Sequence, residues 1–145
     1  MPGLNWKTGN MTVYQSYPPP NSPECIQYGG CNHLGMFNNC PGTEPPAWVQ
    51  SHNVVSFFDR QHLTPTAVTP WRICLKYGNQ SIVGVVLDTC SDSDCCGCCT
   101  QNQGAADALI DVELGLDSRF LNVGIDGGQN GIQWARLDDD PNACN

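Results

Sequence analysis

Ten cysteines in a chain of 145 residues constrain this protein more than any other feature. They stand at positions 25, 31, 40, 74, 90, 95, 96, 98, 99 and 144. An even count in a small chain with 15 glycines and 11 prolines reads as a disulfide framework formed in an oxidising compartment. Ten cysteines allow on the order of a thousand pairings, so spacing alone does not give the connectivity. The run Cys95-Cys96-Gly97-Cys98-Cys99 lacks the separated Cys-x2-Cys pairs of a thiolate zinc site, and disulfides stapling its loop are expected instead. The first residues, MPGLNWKTGN, hold no charged segment followed by an apolar core, so they do not read as a signal peptide. The expectation is a mature extracellular chain with an added or retained Met1. The sequons at Asn10 and Asn79 are compatible with secretion.

Charge narrows the function classes. Lys and Arg number 6 against 14 Asp and Glu, a net charge of −8. Such a chain lacks the clustered cations that nucleic acid or an anionic membrane requires. No apolar run reaches the roughly 20 residues of a spanning helix. A single domain over residues 1–145, acting as a monomer without a cofactor, is the expectation.

Turn chemistry fills the first third: Pro18-Pro19-Pro20, Gly29-Gly30, Pro41-Gly42 and Pro45-Pro46, broken by an alternating strand at Met11-Thr12-Val13-Tyr14. Residues 47–63 fit a short helix or a strand with a turn, and periodicity does not separate the two. Residues 71–77 and 81–87 alternate or run β-branched around Gly78-Asn79, the signature of a hairpin. A cysteine-rich loop follows from Asp88 to Gln103. Residues 105–120 have helical character, and residues 132–137 alternate as a closing strand. Trp71 and Trp134 sit in alternating strands and are expected in the core. Short strands with long stapled loops point to a small β-barrel.

Four stretches in order carry a family resemblance. Gly9-Asn10-Met11-Thr12-Val13-Tyr14 is similar to an opening Gly-x-x-Thr-x-Tyr strand, and Glu24-Cys25-Ile26-Gln27-Tyr28-Gly29 to an Ala-Cys-Gly-Tyr-Gly loop. Residues 71–90 (WRICLKYGNQSIVGVVLDTC) resemble a hairpin ending in Val-x-Val-x-Asp-x-Cys. Leu109-Ile110-Asp111-Val112-Glu113 with Gly131-Ile132-Gln133-Trp134 resembles the Asp-Leu-Ser and Val-x-Trp segments. Together they resemble the expansin, barwin and loosenin group, whose barrel family 45 endoglucanases share. The resemblance implies a mainly β fold: a small six-stranded double-psi β-barrel with long disulfide-stapled loops and one or two short helices. Trp71-Arg72-Ile73-Cys74 departs from the family's Cys-Gly-x-Cys, so one family bridge is lost or rerouted.

Carried over residue by residue, the resemblance implies a groove holding Thr12 and Tyr14 with Asp88 and Asp111 as its acids. Two acids across a groove can protonate or hydrogen-bond a glycosidic oxygen. Glu113 and Asp117 compete with Asp111 for the second role, and Asp88 has the rival role of capping local amides. Tyr28 and Trp48, with Trp6 and Tyr17, are candidates to stack on sugar faces. Related endoglucanases place a general base four residues after the strand-1 Thr; here that residue is Ser16, which argues against hydrolysis. His33, His52 and His62 form no metal spacing. Ser91-Asp92-Ser93-Asp94 and Asp138-Asp139-Asp140 match no EF-hand, so no metal site is expected. The implied function is binding, and non-hydrolytic loosening, of a cell-wall polysaccharide, with a cellulose-like glucan first. The alternatives are a glycoside hydrolase or lytic transglycosylase on the same barrel, and a disulfide-rich defence protein, effector or protease inhibitor.

Overall fold

The structure is a computed structural model, and it describes residues 4–38, 40–60, 70–137 and 144. Six strands form it: β1 (Lys7–Tyr14), β2 (Val54–Phe58), β3 (Trp71–Tyr77), β4 (Gln80–Asp88), β5 (Ala108–Glu113) and β6 (Gly128–Leu137). They close into one barrel in the order β1-β5-β2-β4-β3-β6, with β6 pairing back onto β1. Two of the six pairings are parallel, β1 with β5 and β2 with β4, and the rest are antiparallel. Closure leaves none of these six strands with a free edge to pair with another molecule.

Alternation decides which side chains fill the barrel. Met11 and Val13 from β1, Val55 and Phe57 from β2, Ile73 and Leu75 from β3, and Ile110 and Val112 from β5 form one buried cluster. Phe57 is its hinge, packed edge-on against Trp71 at 5.2 Å and Trp134 at 4.9 Å. Both tryptophans are therefore core residues, as their strands imply. The expected hairpin is present: Tyr77 pairs with Gln80, and Gly78 turns the chain at φ +59°, a conformation a side chain would strain.

Two regions differ from their sequence expectation. Residues 108–113 are a strand, and the helix α4 (Leu114–Arg119) begins only after it. β5 lies between β1 and β2 and is buried on both faces, so it shows no clean alternation to mark it as a strand. Instead of one or two short helices, the described residues hold four: α1 (Pro23–Ile26), α2 (Pro46–Ser51), α3 (Cys98–Gln103) and α4. The ambiguous stretch from residue 47 holds both alternatives in series, α2 and then β2. Asn53 makes the switch at φ +46°, donating to the Val83 carbonyl at 3.0 Å and accepting from Arg119 at 2.9 and 2.6 Å.

Eight of the ten cysteines pair, as Cys25–Cys31, Cys74–Cys144, Cys90–Cys99 and Cys95–Cys98; Cys40 and Cys96 are free thiols. The disulfide framework expected from the cysteine count is present, with two thiols standing outside it. Cys40 packs beside Phe37 and donates to Glu44 at 3.5 Å, while Cys96 is exposed. Cys74–Cys144 spans 70 residues and should restrict the unfolded chain most, by about 4 kcal/mol in the chain-entropy account.

Truncating the aromatic hinge checks this packing. Phe57→Ala should lower the unfolding free energy in urea by about 3–5 kcal/mol. A loss below about 1 kcal/mol would mean the ring does not hold the two tryptophans together.

Candidate functional site

The strand register assembles a polar row on the outside of the barrel. On β1, Met11 and Val13 point inward, so Thr12 and Tyr14 point outward. On β5, Ile110 and Val112 point inward and leave Asp111 outside. Thr12 pairs with Asp111, Asp111 pairs with Ser56, and Ser56 pairs with Asp88. The four residues therefore lie side by side on neighbouring strands β1, β5, β2 and β4.

Asp88 joins the row through an irregularity. Val55 pairs with Val86, but Ser56 pairs with Asp88, so the ladder skips Leu87. Val86 faces the core, and unbroken alternation would send Asp88 toward the same side. A bulge re-phases the strand and turns its last side chain outward.

The row floors a groove of about 760 Å³, lined also by Tyr14, Ser16, Glu24 and Tyr28. Thr12 Oγ1 donates to Asp111 Oδ1 at 2.9 Å. Burial pushes the Asp111 carboxyl up to about 7; the bond from Thr12 opposes the rise, and the charges of Glu24 and Asp88 add to it. Burial, then the charges of Asp111, Asp88 and Glu113, hold the Tyr14 phenol well above its usual value. The Tyr14 and Ser16 hydroxyls face each other among the groove's lining residues.

Asp88 has a structural task as well. Its Oδ1 accepts from the backbone N–H groups of Thr89 at 2.9 Å and Asn38 at 3.4 Å, tying two loops at the groove's end. The rivals of Asp111 lie elsewhere. Asp117 is fully buried and accepts from the N–H groups of Val123 and Gly124 at 3.0 and 2.9 Å. Glu113 is 5% exposed, and burial raises its carboxyl to about 7 against the pull of the Leu114 and Gly115 amides.

The aromatic candidates divide. Tyr28 stands at the groove's edge and is half exposed. Trp48 does not line the groove: its ring stacks on His52 at 4.0 Å and packs beside Val49. Tyr17 joins the same cluster and donates its hydroxyl to the Glu44 carbonyl. Trp6 packs beside Cys74 and Leu137, with the Lys76 ammonium 5.2 Å from its ring. His33 lines the groove, while His62 and the Asp138-Asp139-Asp140 run lie outside the described residues. Asp92 is occupied in holding Thr100, whose N–H it accepts at 2.9 Å. The sulfurs of Cys90, Cys98 and Cys99 lie within 4.8 Å of one another but belong to disulfides.

Two groove residues escaped the sequence reading. Glu24 reaches the groove from α1, accepting from the Gln15 N–H at 3.0 Å, and burial raises its carboxyl. It is the first acid of the chain, which was a visible signal. Ser56 carried none, because only strand pairing sets it between Asp111 and Asp88.

Comparison with known proteins gives a fold and no family. No protein-family model matches the chain, and no curated protein matches it. Among solved structures it is similar to the Streptomyces papain inhibitor, with a TM-score of 0.53 and 16% identity over 93% of this chain and 97% of that one. A small, mainly β, disulfide-bearing architecture is therefore common to both chains.

The raised carboxyls set the sign of a pH effect. Asp111 and Glu113 are held near 7 in the fold, above their ordinary 3.8 and 4.5. The native state thus binds protons the unfolded chain has released, and their stabilising effect is lost as pH rises from about 4 through about 7. The urea midpoint should fall between pH 5 and pH 8, and Asp111→Asn should flatten that fall. An unchanged slope in the variant would remove Asp111 as a cause.

Proposed function

We propose that the protein is an extracellular binding protein that presents one rigid, stapled face to a protein partner, in the manner of a protease inhibitor. The observation that carries this is the rim of the groove. Ile26, Tyr28 and Met36 are 70%, 52% and 50% exposed, all from one short loop region. Tyr28 and Met36 border the groove itself, and the Cys25–Cys31 bridge ties the loop. Large apolar side chains left in water on a constrained loop suit a protein interface, where aromatic and Met anchors are enriched. A pre-ordered loop loses little entropy on docking. The likeness to an inhibitor of papain supports the same partner class, with a cysteine protease of the papain type first.

A second partner class has its own support. The row Thr12–Asp111–Ser56–Asp88, with the Tyr14 and Ser16 hydroxyls beside it in the groove, suits a hydroxyl-rich ligand such as a polysaccharide. The parallel pairs β1–β5 and β2–β4 within a six-stranded barrel support a double-psi connectivity of the expansin-like kind. On that basis Asp88 and Asp111 would hold the glycan, and loosening would proceed without hydrolysis.

The two are separable. The protein should inhibit a papain-type protease, and Tyr28→Ala with Met36→Ala should weaken inhibition by about tenfold or more. Absence of inhibition across cysteine and serine proteases, with retention on cellulose, xylan, chitin or peptidoglycan that Asp111→Asn abolishes, would replace the first function with the second.

A further inference from the structure

We infer that the Cys95–Cys98 bridge is an exchangeable disulfide in the groove wall, with Cys96 as its resident attacking thiol, and that it accepts external thiols as mixed disulfides. Cys90, Cys95 and Cys98 all line the groove, so both sulfurs of this bridge belong to residues a groove ligand meets. Cys96 is a free, exposed thiol one residue from Cys95 and two from Cys98. The other free thiol, Cys40, is half-buried and bonded to Glu44, and burial with that acid raises it above its usual value. A second bridge abuts the first: the sulfurs of Cys90 and Cys99, themselves paired, lie within 4.8 Å of the Cys98 sulfur. By contrast, Cys74–Cys144 is sealed in the core.

The chemistry balances without an added oxidant. The Cys96 thiolate attacks the Cys98 sulfur, a Cys96–Cys98 bond forms, the Cys95–Cys98 bond breaks, and Cys95 leaves as thiolate. An external thiolate attacks the Cys95 sulfur in the same way, leaving it joined to Cys95 and releasing Cys98 as thiolate. That thiolate then faces the neighbouring Cys90–Cys99 bridge. The substrate class is therefore a thiolate, on a small molecule such as glutathione or on a protein seated in the groove. The exchange stands on the cysteine arrangement alone and holds whichever partner the groove takes.

Peptide mapping tests it on the full chain. After incubation at pH 8 without added thiol and an acid quench, maleimide should divide between Cys96 and Cys95, with Cys40 as internal reference. In Cys96→Ser, an exposed position, labelling of Cys95 should fall about tenfold or more while Cys40 is unchanged. With glutathione, adducts on Cys95 or Cys98 should exceed those on Cys25, Cys31, Cys74 and Cys144 by about tenfold. Label confined to Cys96 and Cys40 would overturn the resident thiol. Adducts no more frequent on Cys95 and Cys98 than on the other bridged cysteines would overturn the site.

Discussion

The pairing register across β1, β5, β2 and β4 is the constraint on which the rest depends. Core packing fixes it, because a slip of one residue would exchange every inward side chain for an outward one. With Met11, Val55 and Ile110 locked inside, Thr12, Ser56 and Asp111 have one place to go. The polar row is thus a by-product of the apolar core, and the bulge beside Ser56 adds Asp88 to it. A site built on barrel strands is held more rigidly than one built on loops alone.

The loops supply what the strands cannot. Those following β1 and β4 form the groove's walls, and each carries its own local disulfide, Cys25–Cys31 on one side and the Cys95–Cys98 and Cys90–Cys99 pair on the other. Short covalent loops order segments that contribute little to the main core. Asp88 links the walls to the barrel by accepting the Asn38 N–H from one loop and the Thr89 N–H from its own. One carboxylate therefore serves both architecture and groove. An acidic, partly desolvated floor and an apolar rim meet along a single surface, which lets one face offer both polar and apolar contacts.

Much of this was legible in the sequence, and the gaps have physical causes. The β3–β4 hairpin announced itself because β-branched arms flank a turn that only a residue tolerating positive φ supplies. Thr12, Tyr14, Asp88 and Asp111 were placed by resemblance, and the strand register brings all four to one groove. β5 was hidden because a strand buried on both faces spaces its apolar residues as a helix also can. Ser56 and Glu24 were missed because their positions follow from long-range pairing and from the fold of a proline-rich loop. Trp48 looked available among turn residues, yet a local helix brought His52 under its ring. The cysteine count signals the disulfides, but only the folded geometry shows that Cys40 and Cys96 stand outside them.

Whether Asp111 truly sits desolvated among neighbouring acids can be read at its own carboxyl carbon. In a carbon-13 titration of the side chain, placement in the row with Thr12, Glu24 and Asp88 around it predicts a midpoint of about 7. A midpoint near 3.8 would show a carboxylate open to water, and the assembled groove would be contradicted.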